Sequence, residues 1–198
     1  MAKRDRSAGE RNTGMMKEIP LSKVYRLIEP GPVVLVTTAY KGRTNIMTMT
    51  YHMMLCHQPP VIAADLGPWN HSFKALRATK ECVIAIPTVD LASKAVEIGN
   101  CSGEDIDKFD TFGLTPVPAK KITAPLIAEC LANIECQVTD VSLIRKYNLF
   151  ILKPVKAWID PGRKERRTIH HNGDGTFVVD GRVLDLRKKM VKWPDFLD

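Results

Sequence analysis

Val33-Val34-Leu35-Val36-Thr37-Thr38, then Lys41-Gly42-Arg43, then Thr44-Asn45-Ile46-Met47-Thr48-Met49-Thr50-Tyr51: this stretch decides the fold. A β-branched apolar run, a glycine-containing reversal and a second, alternating run predict a β-hairpin. In the second strand a period of two sends Met47, Met49, Tyr51 and Met53 to one face, and Thr48, Thr50 and His52 to the other. The threonine face has two meanings. Threonine suits a half-solvated pleat, and a row of hydroxyls equally suits a ligand wall.

Outward from the hairpin, Leu21 to Ile28 has the spacing of a short helix, stopped by Glu29-Pro30-Gly31-Pro32. Residues 1–14 are polar and Arg-rich and read as a disordered extension, which leaves 15–198 as a single domain. After Pro59-Pro60, Val61 to Leu66 is a further strand. Gly67-Pro68-Trp69-Asn70 is a turn, and His71 to Ala78 is helical with Asn70 or Ser72 as its cap. Such a helix start can cap only itself, or can also receive an anion on its free N–H groups. Cys82 to Ile86 is a strand and Asp90 to Ile98 a helix ended by Gly99. Ser102 with Asp105 three residues on predicts another helix start, and Asp110 to Pro125 a connecting loop. Leu131 to Val138 alternates, with Ala132, Ile134, Cys136 and Val138 inward and a wet opposite face. Leu149 to Leu152 and Val155 to Ile159 form a strand interrupted at Pro154, and Ile169 to Gly181 reads as turn, short strand, turn. The tail from Leu184 to Asp198 is basic. Many short strands with a few inserted helices, and no Gly-x-Gly-x-x-Gly or Walker loop, argue for a mainly β fold closed as an antiparallel barrel.

The totals exclude several classes. At 198 residues the chain fits one domain, and 44% hydrophobic with 26% charged residues is globular. No apolar run approaches the roughly 20 residues that span a bilayer, and the amino end lacks an export signal, so the expected location is cytoplasmic without membrane association. Five cysteines without a Cys-x-x-Cys pair argue against a disulfide framework or a zinc ribbon, and no metal is expected. Cys82 and Cys136 read as core residues. The net charge of +7 suits phosphate groups, but no aromatic-rich nucleic-acid motif accompanies it, so nucleic acid is disfavoured as a partner. The sharpest basic cluster is Arg163-Lys164-Glu165-Arg166-Arg167, either a solvated loop or a site for the 2′-phosphate of NADPH.

In this order the features resemble the flavin reductase-like, FMN-binding split-barrel family, in its flavoredoxin branch. The resemblance runs from about Pro20 to Asp185. It is carried by Pro-Val-Val-Leu-Val-Thr-Thr, Gly42, Asn45 with Met47-Thr48-Met49-Thr50, Pro59-Pro60, Ser72, Lys80 to Ala85, and Cys101-Ser102-Gly103-x-Asp105-x-Asp107-Lys108-Phe109. It implies a Greek-key-like split barrel of six strands, a homodimer holding FMN near its interface, and electron transfer from NADH or NADPH to free flavin, a ferric complex or a protein acceptor. A non-enzymatic FMN electron carrier is the alternative. By position it assigns Met47, Thr48, Met49, Thr50 and Cys56 to the flavin, Asn70, His71 and Ser72 to the ribityl chain and phosphate, and Cys101, Ser102 and Lys108 to the same pocket. His170 and His171, before a Gly-x-Gly turn, are candidates for ordering nicotinamide or carrying a proton, against the alternative of a surface pair.

Overall fold

The computed structural model describes residues 31–189. The extension at 1–14, the helix expected at 21–28 and the end of the tail lie outside them.

Lys41 and Gly42 both hold positive φ, 51° and 77°, the requirement of the tightest hairpin turns. They join β1 (Val34–Tyr40) to β2 (Arg43–Met49) in the expected register, Val34 opposite Met49 and Tyr40 opposite Arg43. The second strand is shorter than its alternation suggests. It ends at Met49, and the chain resumes two residues later as β3 (His52–His57), where Tyr51 and Met53 are exposed rather than inward. β4 (Pro60–Asp65), β5 (Glu81–Ile86), β8 (Ala132–Asp140) and β9 (Leu149–Ile159) complete one antiparallel sheet in the order β2-β1-β5-β8-β9-β4-β3. It has seven strands where the resemblance implied six. Pro154, opposite Cys136, falls where the β8–β9 register shifts, the kind of position at which a strand tolerates a residue without an N–H.

No hydrogen bonding between β2 and β3 closes this sheet; they are its two ends. Yet only two residues separate Met49 from His52, and the three chain steps span at most about 11 Å. A flat seven-stranded sheet would hold its outer strands about 29 Å apart. The sheet is therefore rolled, and the expected closed barrel is instead a split one.

Rolling gives every strand an inside and an outside. Inside lie Val34, Val36, Met49, Ile62, Ala64, Cys82, Ile84, Cys136, Phe150 and Leu152. One end is plugged by α1 (His71–Thr79), whose Leu76 joins this core and whose Phe73 meets Phe150 edge to face at 5.7 Å. Outside, Val33, Leu35, Ile46, Val83 and Ala85 pack under α2 (Ala92–Gly99), α3 (Lys108–Thr111) and the segment through Cys130. Within that segment β6 (Pro116–Val117) pairs with β7 (Leu126–Ile127), so the expected loop carries a small ladder of its own. A short helix α4 (Ile144–Tyr147) precedes β9, and β10 (Ile169–His171) and β11 (Phe177–Val179) form a hairpin, two strands where one was expected.

The supposedly wet face of β8 is the clearest reversal. Asn133 and Glu135 are buried beneath the 115–130 segment and fasten it. Asn133 exchanges two bonds with the Ile127 backbone at 2.8 and 3.0 Å. Glu135 accepts from the Lys120 and Lys121 amides and from the Trp158 indole at 2.7 Å. Burial opposes its charge, but these donors and the nearby Lys156 hold its pKa below the ordinary 4.5. Alternation reports two faces; it does not report what covers the second.

Candidate functional site

Three pieces of chain converge on one cleft. β2 supplies Asn45, Met47 and Thr48; the 67–70 turn and the start of α1 supply Trp69, Asn70 and His71; the end of α2 and the loop after it supply Gly99, Asn100, Cys101 and Ser102, with Lys108 behind them. This inner cleft encloses about 200 Å³. It opens past Asn45, Trp69, Asn70, His71 and Ser102 into an outer cleft of about 460 Å³.

The α1 start is left open toward it. Asn70 is the N-cap but makes no capping bond, because its Oδ1 accepts from the Gly67 amide at 3.0 Å instead. That choice shapes the 67–70 turn; the Phe73 amide donates to the Asn70 carbonyl at 3.0 Å, and the His71 and Ser72 N–H groups ahead of it lack a side-chain cap, the arrangement that receives anions. Gly67 is required here: a Cβ would lie 2.2 Å from the Trp69 ring, which folds back over it and stands 75% exposed at the cleft rim. Below the rim, the Asn45 amide donates to Ser72 Oγ at 2.8 Å, and Thr38 reaches the same oxygen at 3.4 Å. Asn45 Oδ1 is buried without a partner, beside Gly103, where a Cβ would approach it to 2.0 Å.

Lys108 is buried, and its ammonium donates to the Ile98 carbonyl at the end of α2 at 2.8 Å. Burial pushes its pKa down, opposed by the neighbouring Cys101. The helix expected to start at Ser102 starts later: residues 102–106 form turns, and Asp107 caps α3 by accepting from Phe109 and Asp110.

The structure thus brings Met47, Thr48, Asn70, His71, Cys101, Ser102 and Lys108 to one cleft, with Ser72 buried at its foot. Others lie elsewhere. Met49 faces the barrel core. Cys56 is exposed on β3, outside the cleft. The Thr48 hydroxyl gives its proton to the Ala95 carbonyl of α2, so toward a ligand it can only accept. Thr50 lines an adjoining apolar groove of about 140 Å³, which meets the inner cleft at Thr48 and Gly99 and is bounded by Val33, Val96 and His171, whose ring lies against Phe177. His170 turns from that groove to Asp180 at 2.8 Å, so the pair does not act side by side. The basic loop is largely spent on structure: Arg163 pairs with Asp90 and Thr88, and Arg167 with Glu165.

The sequence matches the family described as "Flavin reductase like domain" over residues 25–177. This chain belongs to the flavin reductase-like family. Among relatives, it is 31% identical over 180 residues to "Uncharacterized protein YddH" of Escherichia coli (strain K12), covering 83% of this chain and 94% of that protein. Its fold is similar to that of flavoredoxin from Desulfovibrio vulgaris (Miyazaki F), with TM-score 0.72, 26% identity, and coverage of 79% of this chain and 90% of that one. An FMN-binding domain of a flavin reductases-like enzyme from Shewanella baltica OS155 shares the fold with TM-score 0.73 at 24% identity, covering 84% and 95%. The outer cleft also holds residues that motif reading left aside. Trp69, Lys41, Arg43 and Lys74 all line it, and only the turn composition around Trp69 pointed their way.

Proposed function

We propose that this flavin reductase-like protein binds FMN in the inner cleft and is an oxidoreductase that passes electrons from NADH or NADPH to free flavin, a ferric complex or a protein acceptor. The uncapped α1 start beside the Asn45–Ser72 pair carries this reading, because it offers N–H groups, a hydroxyl and an unpartnered carbonyl oxygen together. A phosphorylated polyol needs that mixture of donors and acceptors, so the residues present fit the group. His71 and Ser72 amides would hold the phosphate, and Lys108 would supply positive charge from behind the cleft wall. Met47 and the Trp69 face would border the ring. Bound FMN supplies the hydride-accepting chemistry; the chain's own part is to hold, orient and shield.

The exposed Tyr51, Met53, Met54 and Leu55 around β3 support a homodimer, since such a patch is costly in water. Five free thiols fit a cytoplasmic setting. Among the described residues no helix is long and apolar enough to cross a membrane.

The test is spectroscopic. Protein equilibrated with FMN and desalted is expected to retain a flavin band that NADH or NADPH bleaches on anaerobic mixing. A protein that retains no FMN would overturn the assignment, and a retained band that neither nucleotide bleaches would reduce it to the carrier.

A further inference from the structure

Thr48 and Gly99 border two hollows of opposite character, the polar inner cleft on one side and the apolar groove on the other. Among the described residues no lysine, arginine or carboxylate lines the groove. Val33, Ala95 and Val96 give it aliphatic walls, and Phe177 with His171 an aromatic one, the two ring centroids 4.9 Å apart. The His171 ring is fixed there, because its Nε2 accepts from the Gly175 amide at 3.2 Å. The Thr48 hydroxyl has already given its proton to the Ala95 carbonyl. A charged group entering the groove would lose water and gain no counter-ion, a cost that restricts the occupant to uncharged molecules. Size restricts it further. The groove encloses about 140 Å³, and an apolar cavity of about 150 Å³ takes one benzene ring. Gly99 keeps the passage to the inner cleft open: a Cβ there would rest on Thr48, 3.5 Å from its Cβ and 3.6 Å from its Oγ1.

We infer that this groove seats the electron acceptor, a small uncharged ring compound of the quinone class, and that Gly99 is the residue that admits it to the flavin. This rests on the inner cleft holding FMN. Thr48 follows Met47, the residue that borders the flavin ring, so a ring in the groove lies beside it. Of the acceptors open to such a protein, a free flavin with three fused rings exceeds the groove, and a ferric chelate brings charge into it. A quinone meets both limits, being a single uncharged ring that takes up two electrons and two protons. In the net reaction NADH or NADPH gives up a hydride and becomes NAD(P)+. The quinone gains the two electrons and that hydrogen, takes its second proton from water, and leaves as the hydroquinone with both C=O groups converted to C–OH.

The experiment uses the full-length, FMN-loaded protein and two variants. Val96→Phe fills the groove from a side chain that is 39% exposed, and Gly99→Ala adds a methyl at the passage, which a helical backbone accepts. Toluene, a ring of this size that cannot be reduced, is titrated calorimetrically beside benzoate, its charged counterpart, and FMN affinity is measured for all three proteins. Toluene is expected to bind the wild type, with benzoate and the Val96→Phe variant each weaker by about tenfold or more. NADH-driven anaerobic reduction of a methyl-substituted benzoquinone should then show a KM raised about tenfold in Val96→Phe. Gly99→Ala should retain toluene and lose kcat for the quinone; an unchanged kcat overturns the part given to Gly99. Toluene that fails to bind the wild type, or binds it and Val96→Phe alike, overturns the inference. So does toluene binding without quinone turnover, the result expected if the groove receives the nicotinamide ring instead. A protein that retains no FMN fails the flavin reading, and toluene titrated into the flavin-free chain still decides whether the groove is a ring site.

Discussion

The side-chain amide of Asn45 donates to the hydroxyl of Ser72 at 2.8 Å, joining the second strand of the hairpin to the first turn of the helix that plugs the barrel. Both residues are buried, so the bond is made where water cannot substitute. Ser72→Ala leaves the Asn45 donor without its acceptor, at a cost of about 1–3 kcal/mol. The urea midpoint should fall accordingly, and FMN affinity should fall with it as the α1 start loosens. An unchanged midpoint would show that the pair does not brace the cleft.

Thr48 and Lys108 both line the inner cleft and differ in what they offer. The threonine hydroxyl is committed to Ala95, so Thr48→Val should cost about 1 kcal/mol of stability and little FMN affinity. Lys108→Met removes a cation, and interactions with charged groups are worth about 1.5–3 kcal/mol against 0.5–1.5 for neutral ones. FMN dissociation constants measured side by side should rise more for Lys108→Met, and equal values would refute the assignment of that charge to the ligand.

Glu135 predicts an acid-dependent stability. Its folded pKa is depressed below the ordinary 4.5, so its contribution is fully present above that pH and is lost as pH falls through the lower, folded value. Glu135→Gln keeps the shape and removes the titration. The stability gap between wild type and variant, read from urea midpoints, should be widest near neutral pH and should narrow below about 4.5. A gap independent of pH would mean that the carboxylate is not what holds Lys120 and Lys121.

The five thiols should separate into two classes under Ellman's reagent at pH 8. Cys82, Cys130 and Cys136 are buried; burial pushes Cys130 up to about 12, and the bond to Cys136 together with burial raises Cys82. Cys56 is exposed and Cys101 is partly open to the cleft, so these two should react first. FMN should slow Cys101 and leave Cys56 unaffected, which a Cys56→Ser variant would isolate. Equal protection of both thiols would place the ligand elsewhere.

The hairpin was legible because its information is local: a β-branched run, a reversal able to take positive φ, and a matched return. The α1 start was legible for the same reason. What the sequence concealed depends on distant chain. Asn133 and Glu135 look like the solvated side of a strand until the 115–130 segment folds over them. Lys41, Arg43 and Lys74 look like ordinary surface cations, since nothing within a few residues of each reveals that the other two face the same hollow. Thr48 was singled out for its hydroxyl, which is present but engaged by a helix backbone 47 residues away.

The two-residue passage from Met49 to His52 has a mechanical consequence. Thr50 and Tyr51 are a short tether, folded by the bond from the His52 amide to the Thr50 carbonyl at 3.1 Å, and they keep the ends of the first and last staves within about 11 Å of each other. Breathing of the sheet toward a flatter shape would first break that turn bond and then meet the limit of the covalent chain, so the curvature beneath the cleft is bounded by chain length as well as by packing. Two glycines spliced between Thr50 and Tyr51 would give the staves play, and the cleft floor formed by β2 would be the first surface to lose its set.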